Sequence, residues 1–93
     1  MGKFRVEVTK TANKDIEKHI KSGNKISINN IAKILIDLGK NPYEGFGNPE
    51  PLKFEYSGFW SRRINQKDRL IYKVEEEIVT VFVVSVMGHY SDK

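Results

Sequence analysis

Polar and apolar residues alternate from Lys3 to Thr9, with Phe4, Val6 and Val8 on one side and Lys3, Arg5, Glu7 and Thr9 on the other. That period predicts a half-buried strand. The spacing then changes. Across residues 12–22, Ala12, Ile16 and Ile20 recur every fourth position while Lys14, Lys18 and Lys21 lie elsewhere. This predicts a short helix with one apolar stripe, ended by Gly23-Asn24. His19 sits among those lysines and reads as a surface residue. Ile28, Ile31, Ile34, Leu35 and Leu38 then repeat at three and four, the mark of a buried helix face, with Ser27 as N-cap and Gly39 and Pro42 as the stop. The tight turn between the two stretches predicts an antiparallel helical hairpin.

Residues 40–51 hold Pro42, Gly45, Gly47, Pro49 and Pro51 and read as a loop. Beyond it the period returns to two. Leu52, Phe54 and Tyr56 alternate, Ser57-Gly58 marks a turn, and Phe59–Ile64 forms a further run. After a turn at residues 65–68, Leu70, Tyr72 and Val74 alternate against Arg69, Ile71 and Lys73. Glu75-Glu76-Glu77 reads as a charged turn. Ile78–Met87 is β-branched and apolar on both sides, which places it centrally in a sheet. The expectation is an α+β fold: strand, two-helix hairpin, then a four-stranded antiparallel meander, with the helices on one face of the sheet. At 93 residues the chain is expected to form a single domain, residues 1–93.

Composition narrows the chemistry. The absence of cysteine removes disulfides, thiolate nucleophiles and cysteine-based zinc sites. The two histidines, His19 and His89, are too far apart in sequence to form a short-spaced metal pair. No metal and no cofactor is therefore expected. The start of the chain lacks a secretion signal, and the run Ile78–Met87, broken by Thr80 and Ser85, is short of the about 20 apolar residues that a spanning helix needs. The protein is expected to be soluble, unprocessed and cytoplasmic, with no membrane partner. The net charge of +4 is unevenly spread: +4 over residues 1–49, +3 over the short block 50–73, and −3 over 74–93. Three of the four arginines, Arg62, Arg63 and Arg69, fall in the middle block. Such a block attracts phosphate backbones or an acidic protein.

Three features could carry chemistry. Glu50 lies between Pro49 and Pro51, which restrict its backbone, and a carboxylate held that way suits a general base. A solvated glutamate on a stiff loop is the plainer alternative. Arg62 and Arg63 must point to opposite faces of their strand, so one of them can share a face with Arg69. Arg63 and Arg69 are nearly equidistant from the turn centre, and like charges directly opposite are unfavourable unless an anion bridges them. Phosphate is such an anion. Their alternative is a solvated face, the arginine stems covering Trp60 or Tyr72. His89-Tyr90 follows the last strand; an imidazole can act as a general acid and a phenol ring can stack on a base. Together a carboxylate base, two arginines and a histidine acid can cleave RNA through its own 2′-hydroxyl without a cofactor.

The strings N-P-Y-E-G-F-G-N-P-E-P-L-K and S-G-F-W-S-R-R-I-N-Q-K-D-R-L-I-Y, with H-Y near the end, closely resemble the YoeB/Txe family of toxins within the RelE/ParE superfamily. The resemblance is continuous from Asn41 to Val74 and resumes at His89-Tyr90. It implies a RelE-like fold and a ribosome-dependent endoribonuclease that cuts mRNA in the decoding site. Carried over by position, it implies Glu50 as general base, His89 as general acid, Arg69 as the main phosphate contact, and Tyr90 as an orienting residue. Arg63, Arg62 and Lys53 would bind substrate. It also implies an antitoxin of the Phd/YefM type, contact with operator DNA only through the antitoxin complex, and a toxin able to dimerise. The chain departs from the family pattern at Val86-Met87-Gly88 before His89 and at Ser91-Asp92-Lys93 after Tyr90. The competing expectations are a ParE-type inhibitor of DNA gyrase that cuts no RNA, and an inert binding protein.

Overall fold

The computed structural model describes residues 3–87. Strand β1, Arg5–Val8, leads into helix α1, Lys10–Ser22, and helix α2, Lys25–Lys40. Strands β2, Glu50–Pro51, β3, Phe59–Arg63, β4, Arg69–Glu75, and β5, Thr80–Ser85, follow. The five strands form one sheet in the order β1-β5-β4-β3-β2. The expected antiparallel meander holds from β2 to β5. β1 adds a feature that the local turns do not encode: it pairs in parallel with β5, Val6 opposite Val81. A parallel neighbour needs a long crossover, and here everything between β1 and β5 serves as that connection.

Each helix begins on a side-chain cap. Thr9 Oγ1 accepts the Ala12 N–H at 3.2 Å, and Asn24 Oδ1 accepts the Ser27 N–H at 3.1 Å. Asn24, not Ser27, is therefore the cap of α2. Ser27 lies buried inside the first turn, where its hydroxyl accepts Asn65 Nδ2 at 2.8 Å and ties α2 to the β3–β4 turn. Nor does α2 stop at Gly39. It runs to Lys40, and Asn41 N–H closes it on Asp37 O at 2.9 Å. Gly39 instead anchors the chain entering β1 through its carbonyl, to which the Lys3 and Phe4 N–H groups both donate, at 2.7 and 2.8 Å.

One sheet face is covered by the hairpin. Ala12, Ile31, Ile34 and Leu38 from the helices pack with Leu70, Tyr72, Val81 and Val83 from the sheet, joined by Ile64 and Val86. Truncating one of the larger of these to alanine costs about 2–5 kcal/mol through lost burial and the cavity left behind.

Three further expectations are corrected. The alternation at Leu52–Tyr56 is not a strand: β2 ends at Pro51, and residues 54–56 form one 3-10 turn with Phe54 at φ 59° and 81% exposed. Pro51 has no N–H for the ladder, and only the Leu52 N–H to Phe59 O bond, 2.8 Å, carries the pairing one step further. β5 is central but shorter than the apolar run, because Ile78 and Val79 lie in an exposed turn. His19, expected on the surface, is 4% exposed. Its Nε2 donates to Val86 O at 2.7 Å, while Asp15 Oδ2 accepts the Val86 N–H at 3.0 Å. A carbonyl can only accept, so the His19 proton sits on Nε2. Two side chains one helical turn apart thus hold both backbone groups of the residue that follows β5.

Candidate active site

Among the described residues no helix packs on the second face of the sheet, and the strand registers bring the charged residues together there. Glu50 in β2 is directly opposite Ser61 in β3. Two residues on, Arg63 is directly opposite Arg69 in β4. Residues directly opposite, and residues two apart, share a face, so Glu50, Ser61, Arg63 and Arg69 lie on one surface. From the strands flanking β3, Arg69 Nη1 and Glu50 Oε1 approach to 3.5 Å. Glu50 is more than half exposed and Arg69 about one-third exposed, so both heads reach solvent. An ion pair this open contributes at most about 1 kcal/mol to stability. It is loosely held and can yield to a competing anion.

Arg63 is exposed, as a residue aimed away from the core must be. The cross-strand pairing of Arg63 with Arg69, expected from their distances to the turn, is observed. Lys53 is exposed at the start of the 3-10 turn that follows β2. His89 and Tyr90 lie outside the described residues. The described chain nearest to them is Val86-Met87, fixed through Val86 by Asp15 and His19.

Arg62 does not join this cluster. Its side chain points to the helix-covered face and is 0% exposed. There it makes five hydrogen bonds: Nε to Tyr72 Oη at 3.2 Å, Nη1 to Asp37 Oδ2 at 2.7 Å and Phe46 O at 3.0 Å, and Nη2 to Asn41 O at 2.9 Å and Glu44 O at 3.2 Å. Every N–H of the guanidinium is engaged, so none is left for a substrate. The role that this geometry supports is internal: Arg62 gathers the carbonyls of the loop at residues 41–46 into one fixed shape.

That loop delivers Glu50. Tyr72 Oη donates to Pro42 O at 2.5 Å and Phe46 N–H donates to Asp37 Oδ2 at 2.9 Å. Gly45 adopts φ +128°, and a Cβ there would lie 1.8 Å from Asp37 Oδ2, so only glycine fits. Arg63 N–H then donates to Gly47 O at 2.7 Å, laying the loop against β3 just before Glu50 pairs with Ser61. Tyr43 fixes the outer side, its hydroxyl on Glu76 and its ring edge-on to Trp60 at 5.2 Å.

The titrations follow from these contacts. Partial burial pushes the Asp37 carboxyl up, but the hydrogen bonds from Arg62 and Phe46 and the charges of Arg62 and Lys40 together outweigh it, and the group ends below the ordinary carboxylate range. Burial pushes the Tyr72 phenol up, and the nearby Arg62 only partly offsets it. The Glu76 carboxylate holds Tyr43 protonated, raising it to about 12. Among the described residues, no group of three or more histidine, aspartate or glutamate side chains comes together to hold a metal ion.

Asp37, Tyr72 and the buried role of Arg62 were not legible in the sequence as parts of the site's support. The one available signal was alternation, which already sent Arg62 to the opposite face from Arg63.

The helical hairpin laid on one face of a sheet, with its charged cluster on the other, is the architecture of small bacterial toxins. A YoeB/ParE toxin from Agrobacterium tumefaciens superposes with a TM-score of 0.82 at 28% identity, over 94% of this chain and all of that one. The YoeB of Staphylococcus aureus has been solved as a dimer, TM-score 0.77 at 30% identity over 95% of this chain and 99% of that one. It has also been solved as a YoeB-YefM complex, TM-score 0.75 at 32% identity over 94% and 98%. In sequence, the toxin YoeB of Escherichia coli is 41% identical over 63 residues, 68% of this chain and 73% of that toxin. The chain belongs to the family of YoeB-like toxins of bacterial type II toxin–antitoxin systems, whose model matches residues 8–90.

Proposed function

We propose that this toxin is a ribosome-dependent mRNA endoribonuclease that cuts in the decoding site by metal-independent acid–base chemistry and so stops translation. The observation that carries the reading is the meeting of Glu50, Arg63 and Arg69 on the sheet face opposite the helices, with Glu50 Oε1 3.5 Å from Arg69 Nη1. A phosphodiester brought there competes with Glu50 for Arg69. Glu50, released, takes the proton of the 2′-hydroxyl. The 2′-oxygen attacks phosphorus, and Arg69 and Arg63 stabilise the charge that builds on the phosphorane oxygens. The bond to the 5′-oxygen breaks as His89 supplies a proton, leaving a 2′,3′-cyclic phosphate and a 5′-hydroxyl. Tyr90 orients the nucleotide and Lys53 contributes charge to binding. Translating ribosomes place this activity in the cytoplasm.

The proposed partner is a Phd/YefM-type antitoxin, which the YoeB-YefM complex of the relative supports. An apolar cleft of about 170 Å³ between α1 and α2, lined by Ile16, Ile20, Ile28, Ile31 and Leu35, adds support for a protein partner. Operator DNA would be reached through that complex, and the toxin would be able to dimerise. Primer-extension mapping on a translated message tests the activity. Cuts inside the decoding-site codon, persisting under chelation with ribosome integrity controlled, are expected. Intact message together with inhibited gyrase supercoiling would instead establish the ParE-type alternative.

A further inference from the structure

Ser61 stands at the centre of the charged face. It is directly opposite Glu50 on one side and Ile71 on the other, and two residues before Arg63. The Glu50–Arg69 pair reaches across β3 from the flanking strands, so Ser61 and Arg63 are the β3 residues it passes over. Ser61 is 0% exposed. Its Oγ is the only buried side-chain nitrogen or oxygen among the described residues without a hydrogen-bond partner. Buried hydroxyls are almost always paired, and an unpaired one opposes folding. Arg62, its neighbour in sequence, has every donor engaged, so the exception is local to the face turned away from the helices.

We propose that Ser61 is a positioning residue for Glu50, held without a partner until substrate arrives. The inference rests on the reading of Glu50 as general base. In the free protein the carboxylate faces Arg69. When a phosphate takes Arg69 and Arg63, the carboxylate loses its partner, and an unused donor directly across the strand pair is the Ser61 hydroxyl. Opposite residues on one face have Cβ atoms about 4.5–5.5 Å apart, within reach of a serine hydroxyl and a glutamate head. Ser61 O–H then donates to one carboxylate oxygen and leaves the other aimed at the 2′-hydroxyl. The same bond favours the charged carboxylate, keeping Glu50 ready to accept a proton.

Ser61→Ala separates this role from a packing role, because alanine removes only an atom that has no partner in the free protein. In single-turnover cleavage on message-programmed ribosomes, kcat is expected to fall about 10-fold, the value of one hydrogen bond to a charged group, with KM unchanged. The acid limb of the pH–rate profile is expected to move to higher pH, and Tm to equal or exceed that of the parent. A parental kcat and an unmoved acid limb would overturn the proposal, as would a rate loss matched by a fall in Tm. Glu50→Gln in the same assay distinguishes the failures. Full activity in Glu50→Gln overturns the reading of Glu50 and this proposal with it; an inactive Glu50→Gln beside a parental Ser61→Ala overturns this proposal alone.

Discussion

Arg62 and Arg63 are adjacent in sequence and have opposite fates. Arg62 is sealed beneath the helices and engaged at every N–H. Arg63 stands in solvent across from Arg69. The pleat of β3 alone produces this division. It teaches how one short strand can serve two ends: the covered face fixes the loop that presents Glu50, and the opposite face gathers the charges proposed to act with Glu50. Loss on the covered face should therefore appear as instability, and loss on the open face as lost activity in a folded protein.

The largest effect is expected on the open face. Glu50→Ala and Arg69→Ala should each lower cleavage about 10²–10⁴-fold, with Tm nearly unchanged because the pair they form is exposed. A comparable drop in Tm would erase the distinction between the faces. Next, Arg62→Ala should destabilise by about 3 kcal/mol, since three loop carbonyls lose their guanidinium donor and the Asp37 carboxylate loses its charge partner. The loss stays small for a buried arginine because Asp37 is 30% exposed and can regain water. Arg62→Lys should rescue little, because one ammonium cannot span five acceptors. A stable but inactive Arg62→Ala would show that its role had been misread. Urea denaturation monitored by Trp60 fluorescence reads both.

A smaller effect should follow pH. The Asp37 carboxyl is held below its ordinary value of 3.8. Its contribution to stability is complete above the unfolded value and is lost as pH falls through the lower native value. Parental Tm should therefore drop faster than that of Asp37→Asn as pH falls below about 4, and parallel curves would contradict this. The smallest is where α1 meets the end of β5. His19→Leu should cost about 1–3 kcal/mol by leaving the Val86 carbonyl unpaired, with His19→Gln, which keeps a donor, milder.

Periodicity carried most of the architecture. The two-residue alternation of Phe59–Arg63 and Arg69–Val74 puts Arg63 and Arg69 on one face and Arg62 on the other, although the family resemblance kept Arg62 among the substrate-binding residues. What it missed has a common cause. The acceptors of Arg62 include the main-chain carbonyls of Asn41, Glu44 and Phe46, and no side-chain identity announces that a carbonyl will be used. His19 looked solvated beside Lys18 and Lys21 because its partner, Val86, is 67 residues away. The parallel pairing of β1 with β5 is set by the whole intervening chain. Phe54 and Tyr56 imitated a strand because alternation cannot register that Pro51 lacks a donor. Ser61 was visible only as one letter of a motif; that its hydroxyl lacks a partner is a property of packing.

The central claim is that a carboxylate and two guanidiniums on the sheet face opposite the helices act together on one phosphodiester. Primer-extension mapping of a translated message, with the parent toxin beside a folded Glu50→Ala variant, tests it most directly. Cuts confined to the decoding-site codon with the parent and absent with the variant are the expected result. Equal cutting by both would contradict the account.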